Sequence, residues 1–201
     1  MNKTVSFVMP ALNEEHYIKQ SVESVLNQSL PDGYQLELII ALSKSRDKTA
    51  RIAKTLEKQH PEIRLVSNKK GGTSAGLNLA INSAVGDVVI RVDAHSELPE
   101  NYASIGIETL EKTGASNVGG KMLATGVTPF QKAVAWAYGS RFGVGGGEFH
   151  VGGKAGPVDS VYLGIFDKQK LQEVGGFDEA TVRGQDWELN LRLRKAGFQV
   201  W

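Results

Sequence analysis

Three short stretches hold side chains that could do chemistry. In VVIRVDAHS (88–96) an apolar run leads through Arg91 into Asp93 and His95. If that segment stays extended, side chains two apart share a face, so the carboxylate and the imidazole converge. An oxygen and a nitrogen ligand together suit Mn2+ or Mg2+, with substrate oxygens completing the shell. The plain alternative is a capping Asp and a solvated His in a turn. In KKGGTSAGLN (69–78) lysines and backbone amides, with Gly72, Gly76 and Asn78 among them, meet a helix start, which favours an anion. In GQDWELN (184–190) Asp186 stands at a helix start, where it serves either as a cap or as a general base at a cleft. The loop is not a G-x-x-x-x-G-K-[ST] P-loop, and no G-x-G-x-x-G follows the first apolar run.

The elements that would position these groups alternate. TVSFVMP (4–10), LELIIAL (36–42), EIRLVS (62–67) and VVIRV (88–92) read as buried strands. Between them, residues 14–29 place Ile18, Val22, Val25 and Leu26 at helical spacing, with Asn13 as a cap. Asp47 caps a second helix, with Ile52 and Leu56 one turn apart. A third carries Leu77, Ala80, Ile81 and Ala84 and stops at Gly86. Such a β-α-β-α-β-α-β order predicts an α/β fold, a mostly parallel sheet with helices on both faces. Ligands of such sheets sit at the carboxyl ends of the strands, where PALNEE, SKSRD and DAHS fall.

The second half is less regular. A helix is expected over 100–113, strands over 117–124 and 159–167, a short helix in KQKLQEVGG, and a last helix over 186–196 with a Glu188–Arg192 pair. The stretch 139–157 is too rich in glycine for a regular element, and is expected to be a mobile functional loop that orders over bound ligand. His150 within it reads as a solvated loop histidine before a metal ligand. FQVW at the end resembles the start of a further strand. The chain is expected to be one domain, 1–201, cut short, with membrane association carried by a missing C-terminal segment.

The bulk numbers narrow the class. The 201 residues are 41% hydrophobic, which suits one globular domain. A net charge of +1 makes no case for nucleic acid. With no cysteine, thiolate metal sites, disulfides and a cysteine nucleophile are excluded. No run approaches the ~20 apolar residues of a membrane span. The expected location is the cytoplasm.

Five blocks together, VMPALNEE, SKSRDKT, GGTSAGLNLAI, GDVVIRVDAHS and GGFDEATVRGQDWELNLRLRKAG, resemble the family 2 glycosyltransferases of the GT-A fold, within them the succinoglycan-biosynthesis-type branch. The resemblance implies inverting transfer of a sugar from a nucleotide-diphosphate donor, a UDP-sugar, to a glycan or lipid-linked acceptor. It implies that Pro10, Ala11, Asn13, Glu14, Ser43, Asp47, Gly72, Gly76, Asn78, Arg91 and Asp93 are on the donor side. Asp93 and His95 match the D-x-D element that holds a divalent cation, Mn2+ or Mg2+. Asp186 matches the base, with Gln185 and Trp187 on the acceptor side; Trp187 also reads as core. The chain departs from the family in three places. Ser43 stands where an aspartate reads the base, Gln185 replaces the glutamate of E-D, and D-A-H replaces D-x-D, which favours Mn2+. The Q-x-x-R-W signature of processive synthases is absent, which favours single-sugar transfer. Two other readings are an inactive sugar-nucleotide-binding module, suggested by Ser43 and Gln185, and a nucleotidyltransferase, disfavoured by the lack of its N-terminal signature.

Overall fold

The structure is a computed structural model that describes residues 3–140 and 152–201. His150 and most of the glycine-rich loop lie outside the described residues. Strands β1 (Lys3–Ala11), β2 (Tyr34–Leu42), β3 (Ile63–Ser67) and β4 (Val88–Arg91) alternate with helices α1 (Ile18–Leu26), α2 (Thr49–Gln59) and α3 (Thr73–Ser83). Then come α4 (Tyr102–Thr113), β5 (Asn117–Val118), α5 (Pro129–Tyr138), β6 (Ile165–Asp167), α6 (Lys168–Glu173) and α7 (Gln185–Lys195). The sheet order is β3-β2-β1-β4-β6-β5. The first four strands are parallel, and β6 runs antiparallel to both neighbours.

Both faces of the sheet are buried, which is why the strands read as continuous apolar runs. Alternate residues divide between two cores. Val5, Phe7, Met9, Leu38, Ile40 and Ile90 pack under α1, α2 and α4. Val8, Ile39, Ala41 and Val89 pack under α3, α6 and α7 through Leu77, Ile81, Leu171, Leu189 and Leu193. Register brings the ends of β1, β2 and β3 level, with Ala11 paired to Leu42 and Leu42 to Ser67, while β4 ends lower, with Arg91 opposite Val8. The loops after β1, β2 and β4 and the N-terminus of α3 therefore open on one edge.

Several local expectations change. Asn13 does not cap α1, whose cap position is Tyr17. It sits instead in the left-handed region at φ 59, which asparagine tolerates. Asp47 lies one residue before the α2 cap position, yet its Oδ1 accepts the Thr49 amide at 3.0 Å. The third helix ends at Ser83 with Ala84 as its cap residue, ahead of Gly86. Gly86 is needed for close approach, since a Cβ there would lie 2.3 Å from the Thr4 carbonyl oxygen. The strands expected over 117–124 and 159–167 shrink to two and three residues. Helix α5 was not expected. Thr128 and Gln131 close a capping box at its start, and none of its residues is buried. The FQVW segment joins the sheet at a single bridge, Val200 to Asn117. Among the described residues, no helix is long and apolar enough to cross a membrane.

Candidate active site

Two loops form the first wall, zipped together through backbone amides. In the β1–α1 loop the Asn13 and Glu14 amides donate to Ser45 Oγ (3.1 Å) and Thr49 Oγ1 (2.7 Å). The Glu15 amide donates to Asp47 Oδ2 at 3.0 Å, and Glu15 Oε2 accepts from the Lys48 amide at 2.9 Å. Asn13 Oδ1 accepts from the Arg46 amide at 2.8 Å. The bonds from Thr49 and Glu15 outweigh the partial burial of Asp47 and hold its carboxyl below the usual range. Asn13 and Asp47 thus act as latches between loops.

Asn68 sets the second wall. Its Nδ2 donates to Ser43 Oγ (3.1 Å) and to the Gly72 carbonyl (3.0 Å), and its Oδ1 accepts from the Gly71 amide. Gly71 and Gly72 both have positive φ (72° and 77°), the backbone form that a tight turn into a helix N-terminus requires. Ser43 is buried and shares its hydroxyl with Asn68. Gly76 lets α3 close on β1: a Cβ there would lie 3.2 Å from Pro10 Cβ. Asn78 points away from this wall and brackets Phe177, donating to its carbonyl at 2.8 Å and accepting from its amide at 2.9 Å.

The centre is a buried arginine between two carboxylates. Arg91, the last residue of β4, is 5% exposed. Its Nε and Nη2 donate to Asp93 Oδ1 at 3.1 and 3.0 Å, and its Nη1 donates to Asp186 Oδ1 at 2.6 Å. Tyr162 reaches Asp93 Oδ2 at 3.4 Å from the turn before β6. Burial and the Asp93 charge push its phenol up to about 12, so it keeps its proton. That turn holds Leu163 at φ 48, a conformation that costs a leucine about 1–2 kcal/mol. Tyr102, donating to the Leu163 carbonyl at 2.6 Å, secures it. Asp186 is the second residue of α7 behind Gly184 and makes no cap. Burial, with the Asp93 charge, raises its carboxyl above the usual range against the opposing pull of Arg91. A raised carboxyl is a stronger base.

Past Arg91 the Val92 amide still donates to the Val8 carbonyl, and the chain then turns, with the Ser96 amide donating to the Asp93 carbonyl. The alternation of faces nevertheless carries on: Val92 and Ala94 stay in the core with Ile90, while Arg91, Asp93 and His95 all face the same cleft. Asp93 faces inward to Arg91, whereas the exposed His95 places Nδ1 2.9 Å from Glu14 Oε1. Among the described residues, no three His, Cys, Asp or Glu side chains gather for a metal. The donors present, carboxylate oxygen and one imidazole, fit only a cation whose other ligands are substrate oxygens.

Pro10, Ala11, Glu14, Ser43, Gly72, Arg91, Asp93, His95 and Gln185 line one cleft of about 260 Å³ at the strand ends. Asn13, Asp47, Gly76, Asn78, Asp186 and Trp187 are not among its lining residues. Asp186 borders it through Arg91 and its neighbour Gln185. Trp187 is 59% exposed, so its reading as core is wrong: as the third residue of α7 it faces away from the Leu189–Leu193 seam. Asn68, Tyr162 and Phe177 escaped sequence reasoning. Asn68 follows a strand like other loop asparagines, and the two aromatics look like core residues; nothing in their spacing points to Asp93 or Arg91.

A cleft at the carboxyl ends of a mostly parallel, doubly wound sheet, with a half-buried carboxylate pair at its border, is where α/β folds of this kind bind ligands. The family described as "Glycosyl transferase family 2" matches residues 6–175, and the chain belongs to that family. It is 33% identical over 196 residues to the succinoglycan biosynthesis protein ExoA of Rhizobium meliloti (strain 1021), covering 96% of this chain and 59% of that one. It is 30% identical over 206 residues to a dolichyl N-acetyl-alpha-D-glucosaminyl phosphate 3-beta-D-2,3-diacetamido-2,3-dideoxy-beta-D-glucuronosyltransferase of Methanococcus voltae, covering 98% and 63%. The chain thus spans about three-fifths of the length of these relatives. Among solved structures, the mannosyltransferase PcManGT of Pyrobaculum calidifontis with GDP-Man and Mn2+ superposes at a TM-score of 0.72 and 18% identity, over 100% of this chain and 54% of that one. S. aureus TarS 1-349 with UDP superposes at 0.69 and 16%, over 100% and 58%. These structures share the GT-A fold with this chain.

Proposed function

We propose that the chain is the catalytic domain of an inverting glycosyltransferase. It moves a sugar from a UDP-sugar to a hydroxyl of a glycan or lipid-linked acceptor at the inner face of the membrane. The observation that carries this reading is the Asp186 carboxylate, raised by burial and tied to the donor-side Asp93 through Arg91. The succinoglycan-biosynthesis and dolichyl-linked relatives support the acceptor class.

The donor nucleotide lies against Pro10, Ala11 and Ser43, and its diphosphate near the amides of Gly72 and the α3 N-terminus. An acceptor hydroxyl enters beside Gln185 and the exposed Trp187. Asp186 takes the hydroxyl proton as that oxygen attacks C1 from the face opposite the diphosphate. The C1–oxygen bond to the diphosphate breaks with its electron pair through an oxocarbenium-like transition state, and the configuration at C1 inverts. No protein nucleophile is needed. Asp93 and His95, with Glu14 beside it, would hold a Mn2+ or Mg2+ ion. When bound, that ion neutralises charge on the departing diphosphate.

A thermal-shift screen of UDP-glucose, UDP-galactose, UDP-N-acetylglucosamine and GDP-mannose, with and without Mn2+, tests donor and cation together. A rise in Tm with a UDP-sugar that EDTA reduces is expected. A shift indifferent to EDTA in the parent and in His95→Ala removes the cation from the reading. Asp186→Asn should bind donor as the parent does and lose transfer by about 10²–10⁴-fold. Unchanged turnover would exclude Asp186 as the base and leave a binding module.

A further inference from the structure

Arg91 reads from its place in the sequence as a donor contact. Its surroundings assign it other work. All three guanidinium nitrogens are engaged by carboxylates, with Nε and Nη2 on Asp93 and Nη1 on Asp186. The Phe177 ring lies 5.7 Å from its Cζ, a cation–π contact on the face of the group. Phe177 is itself fixed, edge-on to Phe166 at 6.0 Å and bracketed at its own amide and carbonyl by Asn78. The guanidinium is thus carried at the end of β4, packed against the Phe177 ring, and bonded to both carboxylates.

We propose that Arg91 is a positioning residue for the base: one buried planar cation, braced by Phe177 and Asn78, sets Asp186 in fixed relation to the donor-side Asp93. This rests on the reading of Asp186 as base. Asp186 comes from α7, and Asp93 from the turn after β4, 93 residues earlier in the chain. A helix start and a turn that far apart in the chain have no local contact that fixes their two carboxylates relative to each other. A guanidinium can span two carboxylates because its donors form a rigid fork. A lysine ammonium is a point charge on a flexible stem and serves one of them at a time. A misplacement of about 1 Å at a reacting group costs up to ~10²-fold in rate. A donor contact would behave differently, weakening donor binding while the bound complex still turned over.

The test uses the full chain and the nucleotide sugar of the four above that raises Tm most. Donor Kd is measured by calorimetry, and UDP or GDP release with water as acceptor gives kcat. Arg91→Lys keeps the charge; Phe177→Leu removes the ring and leaves all three charged groups. Both are expected to lower kcat by about 10–100-fold with donor Kd within about threefold. A crystal structure of Arg91→Lys is expected to show the Asp186 carboxylate displaced while α7 stays in place. The inference is overturned if both variants keep kcat within twofold, if Arg91→Lys weakens donor binding tenfold at unchanged kcat, or if the Asp186 carboxylate does not move. Asp186→Asn separates the two layers. If it releases nucleotide at the parental rate, the base reading fails; if it does not, and Arg91→Lys and Phe177→Leu do, only the role of Arg91 fails.

Discussion

Replacing Arg91 by methionine removes the one cation that the two carboxylates share. The side chains of Arg91, Asp93 and Asp186 are 6%, 15% and 21% exposed, so water replaces little of the lost attraction. Breaking a buried pair by deleting one partner costs about 3–5 kcal/mol. The residual exposure of the carboxylates points to the low end, about 3 kcal/mol. For a domain of this size about 2–4 °C of Tm is lost per kcal/mol, so a drop of about 6–12 °C at pH 7.5 follows. The pH dependence has a definite sign. The Asp186 carboxyl is raised in the fold, by burial and then by the Asp93 charge, with Arg91 pulling the other way. A raised carboxyl costs stability once pH exceeds its unfolded value of about 3.9, because the unfolded chain has released a proton that the folded chain still favours. Deleting Arg91 removes the opposing pull and enlarges that cost. The gap in Tm between Arg91→Met and parent should therefore narrow as pH falls from 7.5 to 5. Circular-dichroism melts at both values measure it. A Tm within 2 °C of parent at pH 7.5, or a gap that widens toward pH 5, would refute the reasoning.

Asn190 is buried in α7 and accepts from Asn117 Nδ2 at 2.7 Å while donating to Ser160 Oγ at 3.0 Å. Asn190→Ala strands Asn117, so a loss of about 1–3 kcal/mol is expected in urea unfolding, with the m-value unchanged. Gly86→Ala should cost about 1–3 kcal/mol by the same measurement, because its Cβ would meet the Thr4 backbone, which β1 holds in place. Trp187→Ala should leave Tm within about 2 °C, since the ring is exposed; a rise in acceptor KM at unchanged donor Kd would mark it as the acceptor platform.

Much of the site was legible because the parallel strands are short apolar runs whose ends are marked by polar clusters. PALNEE, SKSRD, the glycine turn and DAHS do meet at one edge, and nine of the expected residues line one cleft. What was not legible came from turns and from the return of the chain. The strand ends at Arg91, earlier than the period-two argument assumed, yet Asp93 and His95 still face one cleft; the spacing did not show that Asp93 is held by Arg91 and that His95 meets Glu14. Asn13 reads as a cap by type, yet its side chain accepts from Arg46 in the next loop; Asp47 does bond the Thr49 amide like a cap, but its second oxygen crosses to the Glu15 amide. Helix α5 was missed because its residues fall in a glycine-flanked stretch and none faces a core.

Taken alone, the sequence determined the layered architecture, the edge on which the polar clusters meet, and the family, because burial pattern and local motif are properties of neighbouring residues. It placed Asp186 at a helix start and Arg91 at a strand end without relating them. Only the tertiary structure decided that these two groups, 95 residues apart, are 2.6 Å from each other, and that Asp186 is a paired, raised carboxyl and not a cap. Such a contact depends on how α7 packs over β4, and it is set by the shape of the whole core rather than by any local spacing.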